Sequence, residues 1–187
     1  MTLETIIIIL AVAAALVLTA LILLIRSAKN LRRMNLDLDK DWLEIKLLMK
    51  QRNNEMPRLV QTCRSYMPGE KEAFQLISEA RNFYQRAASI AAQAQADALM
   101  SQAVQKLSSE AERFPDLRSN HTFRQIREQL KEIEERIAER GDLFNQDTEM
   151  FNARLAHIPG RWVRGMAKAQ PRTLFTISGP PPASGRP

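Results

Sequence analysis

Residues Ile6 to Ile25 form an unbroken run of 20 residues without a charge, and no other feature constrains the chain as tightly. The run holds 14 Ile, Leu or Val, 5 Ala and Thr19. In hydrocarbon every backbone N–H and C=O must find a partner within the segment, so a lone run of this kind has to be a helix. At about 1.5 Å per residue it reaches roughly 30 Å, the apolar thickness of a bilayer. Its 14 larger aliphatic residues contribute roughly −4 to −8 kcal/mol towards insertion. A cleaved export signal needs a basic start and a shorter apolar core. Here Glu4 is the only charge before the run, so the run reads as a retained span. Arg26, Lys29, Arg32 and Arg33 follow it, and positive residues stay on the cytoplasmic side. The flanks therefore predict a short exterior segment over 1–5, a transmembrane helix over 6–25 and a cytoplasmic remainder. Ala11, Ala15 and Thr19 fall on one helix face, the small-residue spacing that lets two membrane helices approach closely.

Beyond the span, composition excludes more than it offers. A single cysteine, Cys63, excludes a disulfide framework and a cysteine-rich zinc site. His121 and His157 lack a Ser, Cys or carboxylate partner at interpretable spacing, and Cys63 lies on an apolar stripe as a small hydrophobe. Only Gly69 and Gly141 occur between residues 26 and 158, so no phosphate-cradling loop is available. These counts argue for a protein without enzymatic activity, cofactor, metal or small-molecule substrate.

Three breakers punctuate the remainder: Pro68-Gly69, Phe114-Pro115-Asp116 and Pro159-Gly160. Between them the sequence predicts an all-α bundle over 26–158, with long antiparallel helices at about 26–67, 69–113 and 119–158. Trp42, Ile45, Leu48, Met49, Met56, Leu59, Val60 and Cys63 mark the first apolar face. Ala80, Ala87, Ala88, Ala91, Ala92, Ala94, Ala96 and Ala98 suit a middle helix packed on two sides. In the third, Phe123, Leu130, Ile137, Phe144, Phe151 and Ile158 recur every seven residues, a coiled-coil-like seam. Ile126 and Ile133 supply the alternate positions, and the seam turns polar at Arg140 and Asp147. Asp116, Ser119, Asn120 and Thr122 offer caps for that helix. Three passes give an up-down-up order, which places the end of the third helix, and everything after it, far from the membrane.

The residues that mark these helices resemble the bacterial LemA family. The resemblance runs through Pro57-Arg58-Leu59-Val60, Tyr66, Glu70-Lys71-Glu72 and Glu79-Ala80-Arg81. It continues through Phe114-Pro115-Asp116-Leu117, Phe123, Leu130, Glu134, Arg136-Ile137, Arg140, Phe144-Asn145, Phe151-Asn152 and Ile158-Pro159. It covers about residues 40–159. It implies a bacterial inner-membrane protein with an N-terminal anchor and a cytoplasmic bundle, and it implies no reaction. Phe144 and Phe151 depart from a family pattern that favours Tyr, and Ile158 from one that favours Phe. The ending after Pro159 departs altogether.

Antiparallel reflection about the turns brings Arg81, Pro57 and Asn152 to one level. Pro57 cannot donate, which frees the carbonyl of Asn53. The expected outcome is a buried polar layer of Asn53, Pro57, Arg81, Asn145 and Asn152 that fixes helix register.

The formal charge of +6 resides after Glu149, in Arg154, Arg161, Arg164, Lys168, Arg172 and Arg186. Residues 159–187 hold six of the nine prolines and four of the six glycines, which predicts a basic, largely disordered tail. Arg161, Trp162, Arg164, Lys168 and Arg172 are its candidate contacts to an anionic surface. One Trp is too little aromatic interleaving for nucleic-acid binding. The expected role is a single-pass membrane scaffold or assembly module, homo-oligomeric or joined to other membrane proteins. The alternative is a tethered adaptor whose basic tail contacts an acidic protein, lipid or nucleic acid.

Overall fold

A computed structural model describes residues 3–158, 160–165 and 167–176. The fold is all-α, with no strand among these residues. Its helices are α1 (Leu3–Arg64), α2 (Lys71–Arg86), α3 (Ile90–Ala111), α4 (Pro115–Ser119), α5 (His121–Ala156) and α6 (Gly160–Val163). The chain divides into two compact units. One combines Met1–Lys40 with Asp147–Arg172, and the other combines Asp41–Gln146 with Thr173–Pro187.

The apolar run opens α1, which is continuous with the helix that follows it. Every side chain over 7–23 is exposed. Thr19 donates its hydroxyl to the carbonyl of Ala15 at 2.8 Å, so its one polar group is satisfied within the helix.

The larger unit is where the expected topology changes. The segment expected as one middle helix is two, because the chain leaves helical geometry at Ala87 (ψ 100°) and re-enters at Ser89 (ψ 159°). Ser89 Oγ accepts from the Ala92 amide at 3.1 Å, and Gln93 donates to the Ala87 carbonyl at 3.0 Å, so the exposed helix ends are capped. This break adds a pass. α1 and α5 pair antiparallel, with Tyr66 bonded to Asn120 and Trp42 packed on Phe144 at 5.6 Å. The order is therefore up-down-up-down, and α5 returns towards the beginning of α1. A core of Met56, Leu59, Cys63, Ile77, Leu107, Phe123 and Ile126 joins the four long passes.

The seam of α5 keeps Phe123, Leu130, Ile137, Phe144 and Phe151 buried, as the seven-residue repeat predicts. Its alternate line does not turn polar at Arg140 and Asp147. It runs through Gly141 and Thr148 instead, both buried, while Arg140 is exposed and pairs with Glu44 at 3.5 Å. Ile158 lies beyond the helix and is exposed.

In the smaller unit only α1 and α5 supply long helices. Two helices cannot bury a shared stripe alone, and the segment after α5 provides the cover. Val163, Ala167 and Ala169 are buried in the same unit as Leu31, Leu38, Phe151 and Leu155. Residues 160–176, expected as largely disordered tail, are therefore ordered structure over 160–165 and 167–176. The part of that expectation covering 177–187 lies outside the described residues. Two local features enforce the turn. A Cβ on Gly160 would lie 1.9 Å from the Arg154 carbonyl oxygen, so only glycine fits. Lys168 adopts φ 49° and closes a Schellman turn, with Ala169 N–H to Arg164 O and Lys168 N–H to Gly165 O.

Candidate functional site

Three arrangements of polar side chains stand out, and the sequence reading named residues in two of them.

The first is in the larger unit. Buried residues of α1 recur every seven positions as Leu31, Leu38, Ile45, Arg52 and Leu59. Arg52 therefore occupies a core position, with a side chain only 4% exposed. One terminal nitrogen donates to the Asp97 carbonyl at 2.7 Å and the other to Ser101 Oγ at 3.1 Å. The Asp97 carboxylate lies 2.7 Å from the first nitrogen, as an ion pair rather than an aligned hydrogen bond. Burial raises the Asp97 carboxyl above its ordinary pKa, the Arg52 charge opposes that rise, and Glu134 adds to it. This is the polar layer of the bundle. The sequence reading missed it, although the register of Leu31, Leu38, Ile45 and Leu59 carries the signal.

The second involves Asn145 and Asn152. In the larger unit Asn145 donates to the Phe175 carbonyl at 3.1 Å and accepts the Phe175 N–H at 2.6 Å. In the smaller unit Asn152 donates to the Arg172 carbonyl at 2.8 Å and accepts the Arg172 N–H at 2.8 Å. Each amide is thus paired at both ends with the backbone of one residue. The expected layer of Asn53, Pro57, Arg81, Asn145 and Asn152 does not form as drawn. The two amides go to Phe175 and Arg172, Pro57 is exposed, and Asn53 Oδ1 and Arg81 Nε are buried without a partner. Reflection about the turns omitted a returning segment that could claim the asparagines first.

The third is in the smaller unit. Arg154 reaches Met34 Sδ at 3.2 Å, and Asn30, Leu31, Arg154, His157 and Gly160 line a groove of about 310 Å³. Arg161, Trp162, Arg164 and Lys168 are all exposed, Trp162 to 67% and its neighbour Ile158 to 65%. These residues share a unit with residues 27–34, directly after the apolar run, and not the membrane-distal position that three passes implied. Arg172 is not free to contact an anionic surface. Its guanidinium bonds Asn35 Oδ1 at 2.9 Å and Asp39 Oδ1 at 2.6 Å.

Ala11, Ala15 and Thr19 stand exposed on α1. His121 begins α5 behind the Asn120 cap, whose Oδ1 accepts the Phe123 amide at 3.0 Å. Cys63 is buried, and burial pushes its thiol up to about 12. Among the described residues no group of three His, Cys, Asp or Glu is placed to hold a metal ion.

No curated protein matches the chain. The LemA family model matches residues 41–183, from just before Trp42 through α6 and the asparagine-bound segment. The match therefore continues past Pro159, where the residue-by-residue resemblance was expected to stop. A long apolar N-terminal helix, a helical bundle and this match over most of the sequence agree: the chain belongs to the LemA family.

Proposed function

We propose that this protein is a non-enzymatic, single-pass scaffold of the bacterial inner membrane, with its bundle in the cytoplasm. The observation that carries the reading is the first third of α1. Its side chains over 7–23 are exposed apolar surface, and the same helix continues without interruption into the packed bundle. An apolar surface of that size in water is untenable, whereas in hydrocarbon it is the anchor. The basic flank Arg26, Lys29, Arg32 and Arg33 supports the inward orientation. The groups the bundle buries support a structural role, because Arg52 is held by Asp97 and Ser101 and Cys63 is held as an unreactive thiol.

Assembly is proposed to run through the exposed face of Ala11, Ala15 and Thr19, where small residues allow close helix contact. The mass of the detergent-solubilised protein tests this. A dimer or larger assembly that becomes monomeric on Ala15→Leu supports the scaffold, and a strict monomer refutes it.

The position of Trp162 favours a second reading, that the basic surface touches lipid headgroups. Exposed Trp and Arg at the end of a span are a chemistry suited to the bilayer interface. Trp162 fluorescence in nanodiscs should be quenched by brominated lipids, more so with anionic headgroups. Emission unchanged by brominated lipids sinks the reading.

A further inference from the structure

We propose that the groove between α1, just past its apolar run, and the end of α5 is a binding site for the phosphate headgroup of an anionic phospholipid. Every residue lining it belongs to the smaller unit. The inference rests on the membrane reading of α1, and it narrows a basic surface to one cleft.

Depth places the groove among headgroups. Ser27 and Asn30 follow Ile25 on the same helix by two and five residues, about 3 and 7.5 Å of rise. A bilayer carries about 5–7.5 Å of headgroup on each face of its hydrocarbon. With the apolar run filling the hydrocarbon, both side chains stand at the level of the phosphates.

The lining suits an anion. Ser27 brings a hydroxyl and Asn30 a carboxamide from α1, while Arg154 and His157 bring a guanidinium and an imidazole from α5 and its end. The cleft encloses about 310 Å³, the lower end of the range of ligand sites. Arg154 donates to Met34 Sδ at 3.2 Å. A thioether is a weak acceptor, so most of the guanidinium's donors stay available. Among the described residues Arg154 has no carboxylate partner. The sequence explains why: 26–36 and 150–171 together hold eight Lys or Arg and no Asp or Glu. The neutralising charge has to come from outside the chain, and a phosphate diester accepts the planar fork of an arginine well.

The apolar edge selects a lipid over a free phosphate. Ile158 also lines the groove and is exposed. It gives the glycerol and the first methylenes of an acyl chain a surface to rest on, which a soluble anion does not need.

Helix geometry supplies an internal control. At about 100° per residue, Ser27, Asn30, Leu31 and Met34 share one face of α1, and Arg32 lies about 150° round from it. Arg32 and Arg154 are both exposed, so replacing either by Gln removes one charge without disturbing packing.

The test uses the full chain in a non-ionic detergent with equimolar phosphatidylglycerol and phosphatidylcholine, read by native mass spectrometry. The wild-type chain should retain one phosphatidylglycerol, with about tenfold preference over phosphatidylcholine. Arg154→Gln should lower that retention about tenfold, and Arg32→Gln by less than about threefold. Equal retention of the two lipids by the wild-type chain overturns the proposal without recourse to any variant. Equal losses in the two variants overturn it too, since they describe a diffuse basic surface. Glycerol phosphate in millimolar excess separates the two sources of phosphate. It should leave the lipid bound, and displacement would assign the groove to a soluble phosphate ester and overturn the lipid site. Carbonate washing of membranes separates the site from the anchor. A wild-type chain that resists the wash yet shows no lipid preference overturns the site alone, whereas release of the wild-type chain overturns anchor and site together.

Discussion

Arg52→Met tests whether the buried network holds the larger unit together. The substitution removes donors to the Asp97 carbonyl and to Ser101 and strips the Asp97 carboxylate of its cation. Met approximates the length of the lost side chain, so the deficit is electrostatic rather than a large void. Removing one partner of a buried pair costs about 3–5 kcal/mol. The Asp97 side chain keeps 19% exposure, so water relieves part of that, and about 3 kcal/mol is the expected loss. At about 2–4 °C per kcal/mol for a chain of this size, the thermal midpoint falls roughly 6–12 °C. The pH dependence has a definite sign. A carboxyl whose folded pKa is raised confers most stability below its unfolded value, and that stability is lost as pH rises through the folded value. Arg52 is the influence that lowers Asp97, so its removal widens this window. The variant should therefore recover part of its deficit near pH 4. Arg52→Met with Asp97→Leu removes both charges and should lie within about 1 kcal/mol of wild type. Thermal melts of detergent-solubilised protein by far-ultraviolet circular dichroism measure all three. Wild-type stability in the single variant at pH 7 would refute the reasoning.

Gly160→Ala places a methyl group against the Arg154 carbonyl. It should cost about 1–3 kcal/mol locally and raise protease sensitivity over 160–176 while α2 and α3 keep their exchange protection. Lys168→Gly relieves the left-handed backbone at φ 49° and should stabilise the smaller unit by about 0.5–1 kcal/mol, read from slower exchange of the Ala169 amide. Cys63, with its thiol pushed up to about 12, should react with a maleimide at pH 8 about 10³-fold more slowly in the native chain than in denaturant. Labelling at similar rates would place it at the surface.

The all-α class and the α5 seam were legible because long runs of helix formers with seven-residue apolar repeats admit little else. Side-chain chemistry offered four cap candidates for α5, and Asn120 is the one whose Oδ1 accepts the Phe123 amide. The break at Ala87–Ser89 was not legible. Ala87 and Ala88 are good helix formers, and the interruption reflects tertiary packing, with Ser89 the only local sign. That single miss changed the parity of the bundle and moved the end of α5 from the distal side to the neighbourhood of Asn30. Arg52 was hidden by its polar neighbours Gln51, Asn53 and Asn54, although its register with Ile45 and Leu59 exposed it. Asn145 and Asn152 were both expected in a polar layer, but their partners lie 20 to 30 residues away in an irregular segment that no periodicity announces.

Protease digestion of vesicles of known sidedness tests the central placement most directly. The account predicts that α2, α3 and α5 are cleaved in inverted membrane vesicles and protected in right-side-out ones, with a membrane-retained fragment containing residues 6–25. Cleavage of the bundle in right-side-out vesicles, or release of the intact chain by carbonate washing, would contradict it.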